Sequence, residues 1–491
     1  MKYLLCFIAG GLYTLSFSPY NITLMSFISL LLLILLLDLD YIKDSLIKSL
    51  IFSVGYFSVG TYWLENVIKY YSDINYFLSV IIILVFIIYL SFFVAIPVFL
   101  SSLMKNNLKL NANYSLIIMS ILVTFFEIIR SFMFTGYSWF NFGQAAINSP
   151  LEFFFPVIGV HGLTLIIFLI PIILINIIRL IDLKFFVPIL IVLLIFYSSI
   201  YSREWTFKSH DNIKISIIQP NNKNKLTYDK DEILQRMKIL REMTIKTYKD
   251  DHNIIIWPEA PLSIPYNDIK DSYYEKLLAY IPKHVFIISG TFYRDKEFVY
   301  NSIINISDSK NIYHKKHLVP FGEYLPYRNL ISNFYSFLGL NIYDLAHGKI
   351  SNNISIGNFS AFSSICYESI FSEEFLIKDE NIDFIINVSN DGWFGKSLAP
   401  FQHLDALRMR SLENQRYSLR AANTGISAVI SPYGDIIESL EYDKKGVIFS
   451  SIEGRNGHTP LSKYGYSTLY IFIFLLFIYS SIYFNIKVFR R

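Results

Sequence analysis

Apolar residues in this chain are segregated: they crowd the sequence before residue 202 and after residue 464, and thin to strand-length runs in between. A chain divided in this way cannot close around one core. Apolar stretches of ~20 residues cross a bilayer as helices, whereas runs of about 4–8 residues separated by charge build a sheet-containing globular domain. Composition agrees, since 53% hydrophobic and 17% charged residues with a mean hydropathy of +0.41 lie outside the range of an ordinary soluble enzyme. The reading that follows is a multi-pass α-helical membrane bundle over 1–205, a globular α/β domain over 211–455, and a C-terminal transmembrane helix with a basic tail over 464–491. A net charge of +4 with no dense basic cluster gives nucleic-acid binding no support.

About eight spans are expected. Seven apolar segments precede the globular block, near Tyr3–Phe17, Ile22–Leu37, Leu50–Leu64, Tyr76–Leu103, Tyr114–Phe132, Val160–Ile178 and Phe185–Tyr201, and an eighth runs from Thr468 to Ile486. The first three are nearer about 15 residues than the ~20 a perpendicular span needs. No small-residue cleavage site follows the first segment and further spans do, which favours a retained helix over a signal peptide. Lys2, Lys43, Lys48, Lys105, Lys109, Arg179, Lys184, Lys487, Arg490 and Arg491 fall on one side if the spans alternate, against Lys69 and Arg130 on the other. Lysine and arginine prefer the cytoplasmic side, so both termini are expected in the cytoplasm and the globular block outside it.

Within that block, Ile213–Gln219, 253–257, Val285–Gly290, Val299–Ile306, Ser360–Cys366, Phe384–Val388 and Ser427–Ser431 read as strands, and Asp229–Tyr248, Ile269–Tyr280 and Pro400–Tyr417 as helices. Such an alternation predicts a layered α/β domain. Three strand ends carry chemistry. One runs into Trp257-Pro258-Glu259-Ala260-Pro261, where the prolines stop the ladder and fix a carboxylate at a rigid corner. A second holds Tyr313-His314-Lys315-Lys316-His317 and leads into Val319-Pro320-Phe321-Gly322-Glu323-Tyr324; the third closes on Cys366.

A carboxylate, an ammonium and a thiol are the parts of acyl transfer through a thioester: base, oxyanion stabiliser and nucleophile. Each also has a plainer reading: Glu259 as a surface carboxylate, Lys315 as a solvated strand lysine, Cys366 as a small buried hydrophobe. Cys366 is one of two cysteines, the other being Cys6 in the first apolar segment, so it has no disulfide partner in a compartment expected to oxidise thiols.

These motifs resemble those of the nitrilase, or carbon-nitrogen hydrolase, superfamily in the form carried by the apolipoprotein N-acyltransferase family. The likeness lies in Trp257-Pro258-Glu259, the segment Tyr313–Glu323, and Ile365-Cys366-Tyr367-Glu368. It extends to Asn390–Phe394, Gln402-His403, Arg408–Arg410, Arg420–Ser427 and the membrane segment Glu127–Trp139. The resemblance implies an αββα sandwich with Glu259 as general base, Lys315 as oxyanion-stabilising lysine and Cys366 as nucleophile. It further implies Glu323 supporting the lysine region, and Tyr367 and Glu368 at positions needed for activity. Register from Tyr313 and Glu323 favours Lys315 over Lys316. The family's pocket tryptophan is replaced by 224–228, where Tyr228 is the available aromatic.

The implied reaction is ping-pong in the inner membrane of a bacterium, with the catalytic domain on the periplasmic side. A membrane phospholipid acylates Cys366, and the α-amino group of an S-diacylglyceryl-cysteine on an apolipoprotein takes the acyl chain as an amide. No cofactor is implied. The bundle would offer lipid a lateral route, with Phe321, Tyr324, Leu325 and Tyr327 as an interfacial lip, a set that ordinary aromatic packing would equally explain. Glu127 and Arg130, spaced i,i+3 on one helix, either neutralise each other or form a polar patch at a headgroup cavity. His161 and His403 have no second ligand at metal spacing and read as hydrogen-bonded structural residues, so no metal site is expected. Two alternatives stand beside this one: a membrane-tethered amidohydrolase in which water resolves the thioester, and a transporter or scaffold whose outer domain has lost catalysis, against which Glu259, Lys315 and Cys366 argue together.

Overall fold

The computed structural model of the protein describes residues 1–491 except 72–73, 223–228, 249–253, 310, 338–342, 350 and 490–491. The chain divides into two compact units, one formed by Met1–Glu65, Asn75–Arg203 and Pro460–Arg491, the other by Asn66–Ile74 and Glu204–Thr459.

The first unit is helical. Among the described residues five helices are long and apolar enough to cross a membrane: Tyr76–Leu108, Ala112–Arg130, Pro150–Ile178, Leu183–Ile200 and Ser467–Phe484. The expected eight spans are therefore not matched by length. The first two apolar segments form helices of 12 and 13 residues, Lys2–Tyr13 and Leu24–Leu36. At about 1.5 Å per residue these reach roughly 20 Å, short of a ~30 Å hydrocarbon layer. The third helix, Ile42–Gly60, starts before the predicted Leu50, so Lys43 and Lys48 lie on it rather than in a loop. Lys48 is buried there, its Nζ donating to Leu36 O at 2.8 Å. Where the first and third helices cross, a Cβ on Gly10 would stand 1.9 Å from Phe52 O and one on Gly55 2.1 Å from Phe7 O. Small residues at such crossings let helix backbones approach closely, as packing between membrane helices favours.

The second unit is built on two sheets. In chain order its strands are β1 (Thr206–Gln219), β2 (Ile254–Trp257), β3 (Phe286–Asp295), β4 (Phe298–Asn305), β5 (Ile312–His314), β6 (Asn353–Ile356), β7 (Phe359–Ile365), β8 (Phe384–Ser389), β9 (Ser418–Ala422), β10 (Ser427–Ile430), β11 (Ile436–Leu440) and β12 (Gly446–Gly457). One sheet has the order β12-β1-β2-β3-β4-β5 and the other β11-β10-β9-β8-β7-β6. Each has a parallel centre, β1-β2-β3 in one and β7-β8-β9 in the other, with antiparallel flanks.

Strand periodicity assigns the layers. Successive strand side chains face opposite sides, and Ile213, Ile215, Ile217, Ile254 and Ile256 share one core with Phe384, Ile386 and Val388 of the other sheet. The out-of-phase Ile218, Ile255 and Trp257 pack instead with Leu240, Met243, Tyr274 and Leu277 from the helical segments outside the first sheet. On the second sheet, Ile385 and Ala428 meet Leu404 and Leu407 of the helix Ala399–Asn414. The result is the αββα sandwich.

Several elements differ from the sequence reading. The expected helix Ile269–Tyr280 is broken into Tyr266–Ile269, a π turn over Lys270–Tyr274, and Glu275–Leu278. The helix expected to reach Tyr417 stops at Asn414, because Gln415 takes a left-handed conformation (φ +46°) and turns the chain back. Beyond it 418–422 form β9, a strand the sequence reading did not assign, whose five residues are all buried although Ser418 and Arg420 are polar. Ile386 is fully buried between the sheets. Ile386→Ala is expected to cost about 2–5 kcal/mol of unfolding free energy, read from the denaturant midpoint of the purified protein; a loss under about 1 kcal/mol would contradict a shared core between the sheets.

Candidate active site

The prolines that end β2 set the position of Glu259. Proline has no N–H for the ladder, so Pro258 and Pro261 stop the strand and stiffen its corner. β3 passes this corner at Gly290, where a Cβ would lie 2.6 Å from both Glu259 Cα and Pro258 O. Only glycine lets the corner close onto the sheet. The Glu259 side chain is buried, and its Oε1 accepts from Asn301 Nδ2 at 2.7 Å and lies 3.9 Å from Lys315 Nζ. Oε2 makes no hydrogen bond of ordinary geometry, with the Asn390 backbone beside the carboxylate.

Lys315 directly follows β5, and its N–H donates to Asn301 O at 2.8 Å, extending the pairing with β4. Its ammonium is fully buried and bidentate on Glu323, 2.9 Å from Oε1 and 2.8 Å from Oε2. Glu323 is fixed in turn by the Val319 N–H at 2.8 Å and by Asn301 Nδ2 at 2.8 Å, so one amide nitrogen bridges both carboxylates. Lys316 instead directs Nζ to Asn352 Oδ1 at 2.5 Å.

β7 ends at Ile365, and Cys366 opens a 3-10 turn with φ +49°. A non-glycine residue in that region costs roughly 1–3 kcal/mol and persists only where its surroundings over-determine it. Glu368 supplies much of that constraint. Its Oε2 accepts from the Ile365 N–H at 2.7 Å, while Oε1 accepts from the Lys316 N–H at 2.7 Å, the His317 N–H at 3.2 Å and the Tyr313 hydroxyl at 2.7 Å. A single carboxylate thus ties the thiol's turn to the lysine's strand. Tyr367 is half-buried against the rings of His317 and Phe371. The thiol itself is 1% exposed and joins the core between the sheets, yet it also lies within electrostatic reach of Glu259, Lys315 and Asp391.

The charges divide the labour. Burial raises the Glu259 carboxyl to about 7, with Lys315 pulling it down and Glu323 pushing it up. Burial alone would lower Lys315, but Glu323 and Glu259 outweigh it and hold the ammonium charged. Burial and the Glu259 charge raise Cys366 well above an ordinary thiol, with Lys315 opposing. Burial thus keeps the thiol neutral and brings the Glu259 carboxyl close to gaining a proton.

The other sequence candidates are placed differently. Phe321 and Tyr324 sit on the turn that carries Glu323, joined by a 2.8 Å hydrogen bond from Phe321 N–H to Tyr324 O; Phe321 is 49% exposed and Tyr324 packs on the His347 ring. Tyr228 lies outside the described residues. Glu127 and Arg130 belong to the helical unit and are both buried, and among the described residues no ion pair joins them. Glu127 accepts from Thr164 Oγ1 at 2.6 Å and from the Phe142 N–H at 2.8 Å, with His161 Nδ1 at 3.1 Å. Arg130 donates to Asn141 Oδ1 at 2.7 Å and Phe140 O at 3.1 Å, leaving Nε unpartnered. The mutual neutralisation that the i,i+3 spacing allowed does not occur.

Sequence spacing offered no metal set, but the fold gathers ligand atoms of Cys366, Asp391 and His403 within 4.8 Å of one another. These groups are already engaged: His403 Nε2 lies 3.0 Å from Cys366 O, and Asp391 is paired with Arg420 at 2.9 Å. Asn301 escaped the sequence reading altogether. Its only signal was an amide inside an aromatic and β-branched strand, where an unpaired polar group would be costly.

An αββα sandwich with its polar cluster at strand ends places the second unit among the carbon-nitrogen hydrolases, and residues 214–456 match the family described as "Carbon-nitrogen hydrolase". A solved carbon-nitrogen hydrolase superfamily protein from Xanthomonas campestris aligns with a TM-score of 0.37 and 15% identity over 49% of this chain and 90% of that one. Residues 9–173 match "Apolipoprotein N-acyltransferase N-terminal domain". The protein of that name from Wigglesworthia glossinidia brevipalpis is 32% identical over 96% of both chains, and the one from Coxiella burnetii is 30% identical over 97% of this chain and 99% of its own. The chain belongs to the apolipoprotein N-acyltransferase family.

With Glu259 as the proposed base, which must be ionised to work, Cys366 acylation is expected to rise with pH through about 7. Glu323→Gln removes the neighbouring negative charge that raises Glu259, so the midpoint of this rise should move to lower pH. Acylation by a short activated ester, followed by mass spectrometry across pH, reads both; an unmoved or upward-shifted midpoint would contradict the assignment.

Proposed function

We propose that the protein is a bacterial inner-membrane apolipoprotein N-acyltransferase that works through a thioester on Cys366. The observation that carries the reading is the Glu259 oxygen left without a hydrogen bond in a buried cluster with Lys315 and the Cys366 turn. In the first half-reaction the thiol proton passes to Glu259 as sulfur attacks the ester carbonyl of a membrane phospholipid. Lys315 stabilises the oxyanion. Collapse breaks the C–O bond, and the departing lysophospholipid oxygen takes the proton from Glu259. In the second, Glu259 accepts a proton from the α-amino group of an S-diacylglyceryl-cysteine as its nitrogen attacks the thioester; the C–S bond breaks and the thiolate recovers that proton. The product amide is more stable than the thioester, which sets the direction.

Several further assignments belong to this reading. The catalytic unit works on the periplasmic side with both termini cytoplasmic; Phe321 and Tyr324 form a lip for lipid; Arg130, with its unpartnered Nε, is the membrane group available to a phosphate. Relatives bearing the acyltransferase name match along nearly the whole chain, which favours transfer over an amidohydrolase.

Incubation of purified protein with defined phospholipid should place one acyl chain on Cys366, and a diacylglyceryl peptide should remove it as an amide. Cys366→Ser should carry no acyl group, Glu259→Gln should acylate about 10²–10⁴-fold more slowly, and Cys6→Ala should turn over normally. An acyl-enzyme persisting in Cys366→Ser, or release of free fatty acid in place of the amide, would refute the proposal.

A further inference from the structure

We infer that His403 is a positioning residue: clamped by Asp391 and Arg420, its imidazole fixes the peptide plane between Cys366 and Tyr367 and so aims the Tyr367 N–H as an oxyanion donor. This rests on Cys366 being the nucleophile. His403 is fully buried on the helix Ala399–Asn414, with Nε2 3.0 Å from Cys366 O. A carbonyl only accepts, so Nε2 must carry the proton. Nδ1 lies 3.0 Å from Arg420 Nη2 and 3.0 Å from Asp391 Oδ1. Arg420 is itself locked, donating to Asp391 Oδ2 at 2.9 Å and Asn387 Oδ1 at 2.7 Å, while Asp391 Oδ1 accepts from Ser389 Oγ at 2.9 Å.

Burial favours the neutral ring. Burial lowers His403, the Arg420 charge lowers it further, and Asp391 pulls only partly the other way. Nδ1 then accepts from Arg420, and the ring's one N–H is committed to Cys366 O.

The consequence runs through peptide geometry. A trans peptide is planar with its C=O and N–H pointing in opposite directions. His403 Nε2 and Ser369 Oγ, both 3.0 Å from Cys366 O, therefore fix where the Tyr367 N–H points. Without that hold, the left-handed conformation at Cys366 has less to maintain it.

The test compares two reactions of the same sulfur in the full-length protein. Alkylation by iodoacetamide forms no oxyanion, whereas acylation by phospholipid does. His403→Leu is expected to slow acylation at least about 100-fold while alkylation of Cys366 and the phospholipid KM stay within about threefold. His403→Gln, whose amide offers N–H near the Nε2 position, should recover at least about tenfold of the acylation rate. If His403→Leu does not fold, His403→Gln against His403→Asn makes the same comparison, since the shorter amide cannot reach. Parallel loss of alkylation and acylation, wild-type acylation in His403→Leu, or Gln no better than Leu (or than Asn) would overturn the inference. A wild-type protein that alkylates at Cys366 but takes no acyl group from lipid would instead remove the proposed function, and this inference with it.

Discussion

One buried ammonium shared unequally by two carboxylates is the interaction on which the catalytic unit depends. Lys315 sits 2.8 Å from Glu323 and 3.9 Å from Glu259, all three buried. Stranding a buried charge by removing its partner costs about 3–5 kcal/mol, so the three side chains form a unit. Their inequality matters more than their sum. Glu323 receives the ammonium, the Val319 N–H and one arm of Asn301, whereas Glu259 receives the other arm of Asn301 and a distant charge. The better-served carboxylate is the ion partner, and the worse-served one is pushed up to about 7 by its burial. Buried carboxylates diverge in this way when their environments differ.

The two sheets make that inequality possible by bringing together groups far apart in the chain. Glu259 follows β2 in one sheet and Cys366 follows β7 in the other; each strand lies in its sheet's parallel centre, and crevices outside the carboxyl ends of such strands are where α/β sheets place ligands. Lys315 leaves β5 at the edge of the first sheet and must be brought inward. Pairing of its N–H with Asn301 O and the grip of Glu368 on the 316–317 backbone do this. Glu368 therefore holds both the lysine segment and the turn of the thiol, a physical reason for a buried glutamate two residues past Cys366.

Legibility in the sequence followed the range of the interactions concerned. Glu259, Lys315 and Cys366 stood out because prolines, a Val-Pro-Phe-Gly turn and a strand end mark them locally, and the inner strands were visible from the alternation of Ile213, Ile215 and Ile217. Asn301 was invisible because its importance lies in bridging two residues 42 and 22 positions away. β9 was not read as a strand because Arg420, buried and paired with Asp391, reads as a surface residue until its partner is known. Lys48 is a related case: it looked like a loop residue, but a helix can bury a lysine whose Nζ reaches the Leu36 carbonyl.

The burial of Cys366 bears on transfer against hydrolysis. The same carboxylate, ammonium and thiol would serve an amidohydrolase equally well, because the first half of both reactions is attack on a carbonyl. What separates them is which nucleophile meets the thioester, and water at bulk concentration outcompetes a scarce amine wherever it has free entry. A sulfur that is 1% exposed and set in an isoleucine-rich core denies water that entry. Past the turn that carries Glu323, Tyr327 is 66% and Leu330 81% exposed, apolar groups that cost least when covered by lipid. A closed surround at the sulfur with exposed apolar side chains near its lysine turn suits the proposed exchange of acyl chains between lipid-borne partners better than the admission of water.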